Sequence, residues 1–200
     1  MSAKPVAPAT KRRPLGAFLV RVFAWLPVAF AVWYLAAPVV MWPVVLVVRA
    51  FALAAPGSLV RDFERAGAVL VFVTTLGAGS ASGRDTEVTV DVDMLLYAFG
   101  LPLFAALTLA AREPGTLRRL AVGYVALVPF IAFGIVAEFL KSVAITGGAA
   151  LAAQTGIFGW QRELVAVAYQ FGALIFPATT PVIVWVLLHR AFLERLRAST

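Results

Sequence analysis

The chain has 200 residues, of which 62% are hydrophobic and 14% are charged, and its formal net charge is +7. Soluble domains are about half apolar and about a quarter charged, so this composition, with a mean hydropathy of +0.93, excludes a water-soluble fold and extended disorder. It also argues against nucleic-acid binding, because the basic residues are not gathered on one polar face. With no cysteine and one histidine, the chain has no disulfide, thiolate metal site, cysteine nucleophile or multi-histidine metal centre.

Four apolar stretches are long enough to be transmembrane helices. A hydrocarbon core about 30 Å thick needs about 20 apolar residues per helix. The predicted spans are residues 15–36, 94–111, 120–139 and 164–188. Prolines inside them are compatible with membrane helices, because neighbouring helices satisfy the carbonyls that proline leaves free.

A fifth apolar segment, residues 39–55, is ambiguous, because its hydropathy alone also fits a span. The basic residues decide against a fifth crossing. With four crossings and a cytoplasmic N-terminus, the inside segments 1–21, 112–119 and 189–200 hold 11 basic and two acidic residues. The outside loop 56–93 holds three arginines and six carboxylates, as the positive-inside rule predicts. Segment 39–55 is therefore predicted to be an interfacial helix on the outer side, or to extend the first helix outward at an angle.

The first span is predicted to be an uncleaved signal anchor, because it is longer than the about 7–15 apolar residues of a signal peptide and contains Arg21. The organisation predicted is a disordered cytoplasmic head at residues 1–14, one membrane domain at 15–190 and a cytoplasmic tail at 191–200. The head is rich in alanine and proline, which is typical of disorder.

The outer loop contains two segments with strand character. Residues 68–76 are β-branched and aromatic, and residues 86–93 alternate valines with polar side chains. A loop of glycine, alanine and serine at residues 77–83 separates them, which predicts an antiparallel β-hairpin. The fold class is thus an all-α membrane protein with four transmembrane helices, N-in/C-in, with an outer interfacial helix and a small extracytoplasmic β-hairpin.

The polar face of the second strand carries Glu87, Asp91 and Asp93. These carboxylates are candidate contacts for a basic partner or ligands for Ca²⁺. The alternative is a solvated face that is charged to prevent edge-to-edge aggregation. The chain lacks the glycine turn and bidentate glutamate of a Ca²⁺ loop, so no metal site is predicted.

No catalytic, cofactor-binding or metal-binding residue is predicted. Acid, base and nucleophile must lie within hydrogen-bond reach, but the topology puts His189 at the cytoplasmic end and the loop carboxylates about 30 Å away. His189 beside Arg190 is interpreted as a basic cytoplasmic flank. The chain is therefore predicted not to be an enzyme, although an outer-leaflet hydrolase that uses loop carboxylates stays open.

Two charged residues fall within or near the hydrocarbon region, Arg49 and Glu138. Intramembrane charges are usually paired or functional, so they form an ion pair or each meets a charge of a partner subunit. The alternative is that each reaches the headgroups, and Lys141, one turn after Glu138, can also neutralise it.

The fourth span carries Tyr169 and Gln170, followed by two prolines and two threonines within residues 177–181. A broken helix of this kind can line a transport path, which keeps a small homo-oligomeric transporter or channel subunit as the alternative function. The other interpretation is that small and hydroxyl side chains near prolines serve helix packing.

Several stretches together resemble one family. They are Leu26-Pro27 and residues 32–38 (VWYLAAP) in the first span, residues 95–103 (LLYAFGLPL) in the second, and residues 168–172 (AYQFG), Phe176-Pro177 and Pro181-Val182 in the fourth. Over roughly residues 15–190 the chain is similar to the exosortase H-associated membrane proteins. These are small bacterial inner-membrane proteins encoded beside an exosortase, a cysteine transpeptidase that processes C-terminal sorting signals.

This resemblance implies an accessory role, since an exosortase itself needs a cysteine nucleophile. The leading hypothesis is a non-enzymatic inner-membrane subunit that binds an integral membrane protein, with an exosortase as the expected partner. Its candidate contacts are Arg49, Glu138, Glu87, Asp91, Asp93, Tyr169 and Gln170. No cofactor and no nucleic-acid partner are predicted, the lipid bilayer is its environment, and a homo-oligomer is left open.

Overall fold

A computed structural model describes residues 14–54, 59–78 and 86–198. The predicted disordered head lies outside these residues except for Pro14, and so does most of the predicted hairpin loop. The helices are α1 (Pro14–Val40), α2 (Trp42–Ala54), α3 (Leu95–Ala98), α4 (Gly100–Ala111), α5 (Thr116–Lys141), α6 (Ala149–Thr155), α7 (Trp160–Gln170), α8 (Phe176–Leu188) and α9 (Arg190–Ala198). A π-helical turn, Ser142–Thr146, extends α5, and a second, Phe171–Ile175, joins α7 to α8. The strands are β1 (Val60–Ala66), β2 (Val69–Ala78) and β3 (Thr86–Asp93).

In the described part of the chain, three helices are long and apolar enough to cross a membrane: Leu15–Val40, Thr116–Thr146 and Trp160–Leu188. They contain the predicted first, third and fourth spans. The predicted second span forms α3 and α4 and is shorter, at Leu95–Ala111. The largely helical architecture is confirmed, whereas four crossings and their direction stay predictions.

Helix α2 continues α1 almost without interruption. The amide of Met41 donates to the carbonyl of Ala37 (2.9 Å), and the amide of Val45 donates to the carbonyl of Met41 (3.0 Å). The two helices are divided at Met41, and Pro43, in the first turn of α2, has no amide hydrogen to continue the helical hydrogen bonds across this junction. Met41, Val44 and Val48 are fully buried, and α2 packs along α5. Its position relative to the membrane surface stays a prediction.

Close helix packing at the centre of the bundle depends on glycine. A Cβ atom added to Gly172, in the turn between α7 and α8, would lie 2.7 Å from the Cα atom of Gly134 in α5. A Cβ atom on Gly134 would in turn lie 2.5 Å from the ring of Tyr97. Small residues allow backbones to approach closely, which is the usual way that membrane helices gain packing energy.

The strands form an antiparallel sheet in the order β1-β2-β3. The predicted hairpin is present as β2 and β3, with Phe72 opposite Val90 and Leu70 opposite Val92. The hairpin prediction was incomplete, because β1 adds a third strand at its free edge, with Phe63 opposite Phe72. The letters of β1, VRDFERA, include four charges, so the apolar alternation that identifies a strand is weak there.

The sheet is attached to one end of the helical bundle. The ring of Phe72 stacks on Phe139 of α5, with ring centroids 4.5 Å apart. Arg65 at the end of β1 donates to the carbonyl of Pro38 (2.6 Å). The side chain of Gln154 in α6 donates to the carbonyl of Gly77 (2.9 Å) and accepts from its amide (3.0 Å). The end of the bundle beside Lys141 is called the sheet end below, and the end beside Thr116 the arginine end.

Candidate functional site: two polar clusters and an acidic strand

The sheet-end cluster consists of Tyr97, Glu138, Lys141, Ser142 and Tyr169. Lys141 donates to both carboxylate oxygens of Glu138, at 2.9 and 3.0 Å, and the Tyr97 hydroxyl donates to one of them at 3.0 Å. The Ser142 hydroxyl is 3.4 Å from the other oxygen. Both charged side chains are about four-fifths buried, at 23% and 20% relative exposure. A partly buried carboxylate needs such partners, because burial without them is costly.

Tyr169 from α7 completes this cluster. The ammonium group of Lys141 lies 4.0 Å from the centre of the Tyr169 ring, a distance at which the ring attracts a cation. Of the predicted contacts, the structure therefore brings Glu138 and Tyr169 together through Lys141. The adjacent Gln170 is exposed. Tyr97 was not identified from the sequence, since a tyrosine in an apolar stretch gives no sign of its partner.

Arg49 does not join the sheet-end cluster. It is an exposed residue of α2, and the structure shows no hydrogen bond or ion pair from it to any described residue. Phe51 of α2 lines a cavity together with Val136 and Leu140 of α5. At about 3.6 residues per turn, Glu138 lies on the opposite side of α5 from these two residues, so α2 cannot bring Arg49 to it. The contact of Glu138 with Lys141, the alternative to that pair, is the one present.

The three carboxylates of β3 have different surroundings. Glu87 forms an exposed ion pair with Arg61 of β1, and such pairs contribute little to stability. The carboxylate of Asp93 accepts from the amide of Leu95 (2.9 Å), which fixes the junction between β3 and α3. Asp91 is exposed on the same strand between them. Of the three, Asp91 is thus the one whose substitution should perturb the fold least.

The arginine-end cluster was not predicted and is centred on Glu113. This carboxylate is buried at 8% relative exposure, and its two oxygens are held by different helices. One oxygen lies 3.2 Å from Nη1 of Arg119 in α5, and the other accepts from Arg195 of α9. In the sequence, Glu113 is one of two acidic residues among the basic residues of the predicted inside segments. No local sequence pattern indicates that α9 folds back to contact it.

His189 belongs to the same end and corrects the sequence-based interpretation. It is not an exposed basic flank: its relative exposure is 1%, and its ring stacks on Trp185 with centroids 5.1 Å apart. Its Nδ1 lies 3.0 Å from the carbonyl of Trp185, while Nε2 is buried without a partner among the described residues. Burial is the main cause that lowers the pKa of His189 below its usual value; nearby Arg119 also lowers this pKa, whereas the hydrogen bond to the Trp185 carbonyl and the charge of Glu113 partly oppose the shift. The imidazole is therefore held neutral.

The threonines of the fourth predicted span are engaged within their own helix. The Thr179 hydroxyl donates to the carbonyl of Ile175 (2.7 Å), and the Thr180 hydroxyl donates to that of Phe176 (2.5 Å). Gly100 of α4 packs directly against this region, since an added Cβ would lie 2.4 Å from the carbonyl oxygen of Pro177. These hydroxyls therefore serve helix geometry and packing in this structure.

Neither cluster has the composition of a metal centre. The described residues contain no group of three or more histidine, cysteine, aspartate or glutamate side chains that could hold a metal ion. In both clusters the central carboxylate is neutralised by basic side chains, which suits it to fixing helices relative to one another. The exposed charges that remain, such as Arg49 and Asp91, are suited to contacts with another molecule.

The family model described as exosortase H-associated membrane protein matches residues 12–192. This range includes all the strands and both polar clusters except for Arg195. No curated protein and no solved structure is significantly similar to the chain.

Proposed function

The chain belongs to the exosortase H-associated membrane protein family, and we propose on that basis that it is a non-enzymatic accessory subunit of an exosortase-type sorting system. The observation that carries this proposal is the extent of the family match, which covers helices and sheet alike. In the proposed role the protein resides in the bacterial inner membrane and binds an exosortase through membrane and outer-surface contacts. It supports the sorting or surface anchoring of exported proteins without performing the chemistry.

The proposed topology has four crossings with both termini in the cytoplasm. The distribution of charge along the folded bundle supports it. Basic segments from two parts of the chain meet around Glu113 at the arginine end, whereas the carboxylates of β3 belong to the sheet end. Helix α5 separates the two ends by 26 residues, which at about 1.5 Å per residue is about 39 Å, enough for a hydrocarbon core. The positive-inside rule then assigns the arginine end to the cytoplasm.

A non-catalytic role is supported by the state of the titratable groups. The chain has no cysteine, its histidine is buried and held neutral, and Glu138 is neutralised by Lys141. General acid–base or nucleophilic catalysis requires accessible groups in mutual reach. The described residues offer no such arrangement.

The contact surface proposed for the partner is α2 together with the sheet. These two parts are adjacent, because β1 contacts α2 and Arg65 of β1 donates to the carbonyl of Pro38, near the end of α1. Arg49 on α2 and Asp91 on β3 are exposed and without ion-pair partners among the described residues, so each can meet an opposite charge. Charges of this kind contribute more to partner selection than to affinity.

Cross-linking from single cysteines tests this proposal, because the natural chain contains none. Cysteines at Arg49 and Asp91 are labelled with a photoactivatable maleimide in cells that contain the exosortase, and cross-linked products are purified and identified. An exosortase adduct from both positions, and none from a matched cysteine at exposed Leu117, is the expected result. Adducts only between copies of this chain would instead support the homo-oligomeric transporter and contradict the accessory role.

The same cysteines test the topology. An impermeant maleimide added to intact spheroplasts should label the cysteine at Asp91 and not the one at Leu117 until the membrane is opened. Labelling of Leu117 alone would reverse the topology and remove the proposed outer contact surface.

A further inference from the structure

A cavity lies at the arginine end of the bundle, beside the arginine-end cluster. It has a volume of about 300 Å³ and lies between the start of α5 and the end of α8. Its lining residues are Pro114, Gly115, Arg118, Arg119, Val122 and Leu188. Most of them are exposed, so the cavity opens at the surface of the bundle. Its volume is at the lower end of the range of about 300–1,000 Å³ found for small-ligand sites.

The electrostatic character of this cavity is positive. The side chain of Arg118 is exposed and makes no ion pair or hydrogen bond with any residue that the structure describes. Arg119 is fixed in place, because its Nη1 donates to the carbonyl of Pro114 (2.9 Å) and lies 3.2 Å from a carboxylate oxygen of Glu113. Glu113 is also bound by Arg195, so its single negative charge is shared between two guanidinium groups. The three guanidinium groups of Arg118, Arg119 and Arg195 therefore outweigh the single carboxylate of Glu113, which leaves an excess of positive charge beside the cavity.

The backbone adds to this preference for anions. Gly115 precedes α5 in a left-handed conformation, with φ at 78°, and no side chain caps the helix. The first amide groups of a helix lack intrahelical acceptors and carry the positive end of its dipole. One free and one fixed guanidinium group therefore line the same opening beside the first turns of α5, an arrangement that suits the oxygen atoms of phosphate.

The remaining walls are apolar. Val122 lies about one and a half turns into α5, and Leu188 is the last residue of α8. From these observations we propose that the cavity binds the phosphate group of an anionic ligand. The polar opening next to apolar side chains fits an anionic phospholipid whose headgroup meets Arg118 and whose chains run along Val122 and Leu188. Free inorganic phosphate shares the same chemistry, and the experiment separates the two sources.

The test measures which lipids stay with the purified protein. The full chain is reconstituted in nanodiscs made from phosphatidylcholine with a minor share of phosphatidylglycerol, then extracted in mild detergent. The lipids retained are quantified by mass spectrometry. The wild-type chain should retain phosphatidylglycerol in clear excess over its share of the mixture. Arg118→Gln should lower that excess about tenfold, because hydrogen bonds to charged groups are among the stronger ones.

Two further variants keep the result interpretable. Arg197→Gln removes the same charge from an exposed position of α9 outside the cavity and should retain nearly all of the excess. Val122→Trp leaves the charge unchanged but fills the cavity from an exposed position, and it should remove the excess. Near-ultraviolet circular dichroism and thermal unfolding establish that each variant is folded.

The outcomes separate the sources of the phosphate. Loss of bound phosphatidylglycerol on adding millimolar inorganic phosphate would support a phosphate site that soluble phosphate also fills. Retention despite inorganic phosphate would support the lipid. Equal retention of both lipids, or equal effects of Arg118→Gln and Arg197→Gln, would overturn the proposal. The measurement requires no exosortase, so its failure is independent of the proposed function.

Discussion

The ring of Phe72, on the central strand of the sheet, stacks on the ring of Phe139 at the end of α5, with centroids 4.5 Å apart and planes inclined by 17°. Both residues are almost fully buried, at 1% and 4% relative exposure. A sheet of short strands gains stability from packing against a helix, and this contact supplies it. The proposed contact surface for a partner therefore depends in part on this aromatic pair, beside the hydrogen bonds of Arg65 and Gln154.

Removing one ring of this aromatic pair should weaken the attachment of the sheet. Phe139→Ala removes a buried ring, and such substitutions cost about 3–5 kcal/mol. The thermal unfolding midpoint in detergent should fall, and limited proteolysis should cut between residues 59 and 93 faster than in the wild-type chain. Phe158→Ala is the control, because Phe158 is 58% exposed and should change neither measurement. Equal effects of the two variants would mean that the stacking contact does not hold the sheet.

Glu138 is expected to be energetically coupled to Lys141 and not to Arg49. A double-mutant cycle with Glu138→Gln and Lys141→Gln should give a coupling energy of about 1 kcal/mol, because the side chains are in contact and largely buried. The cycle with Glu138→Gln and Arg49→Gln should give about zero, since residues without a shared partner are usually additive. Chemical unfolding in mixed micelles measures both. Strong coupling to Arg49 would contradict the orientation of α5 described here.

The glycine contact between α5 and the turn after α7 should not tolerate a side chain. Gly172→Ala places a Cβ 2.7 Å from the Cα atom of Gly134, so one backbone has to move, at a cost of about 1–3 kcal/mol. The expected result is a lower unfolding midpoint. Gly16→Ala is the matched control, because an added Cβ there meets nothing within 4 Å. If both alanine variants unfold like the wild-type chain, the helices are not closely packed at this point.

His189 should make the stability of the protein depend on pH. Burial lowers its pKa, so at acidic pH the unfolded chain binds a proton that the folded chain does not. The contribution of His189 to the free energy of unfolding should therefore be complete above the usual histidine pKa of 6.5. The free energy of unfolding should fall as the pH drops below that value. The loss should level off once the pH is below the folded-state pKa.

The measurement is the unfolding midpoint as a function of pH in buffered detergent. His189→Phe retains a ring that can stack on Trp185 but cannot be protonated, and it should flatten the curve in this range. The chain has no other histidine, so the comparison isolates this residue. A wild-type midpoint that is constant through this pH range would contradict the burial of the neutral imidazole.

Local patterns in the sequence were sufficient to predict several helices and strands. Runs of apolar residues predicted the long helices, and the strict alternation of residues 86–93 predicted β3, because these periodicities follow from helix and strand geometry. The absence of cysteine excluded whole classes of chemistry without any structure.

The contacts between distant residues depend on how the helices and strands pack in three dimensions. The pairing of β1 with β2, the return of Arg195 to Glu113 and the burial of His189 join positions distant in the chain or depend on packing from several elements. Glu138 pairs with Lys141 and not with Arg49, because Glu138 lies on the side of α5 that faces away from α2. The rotation of α5 about its axis cannot be predicted from local sequence patterns. Local periodicity determines whether a segment forms a helix or a strand. The packing of the elements against one another determines which face of each becomes buried.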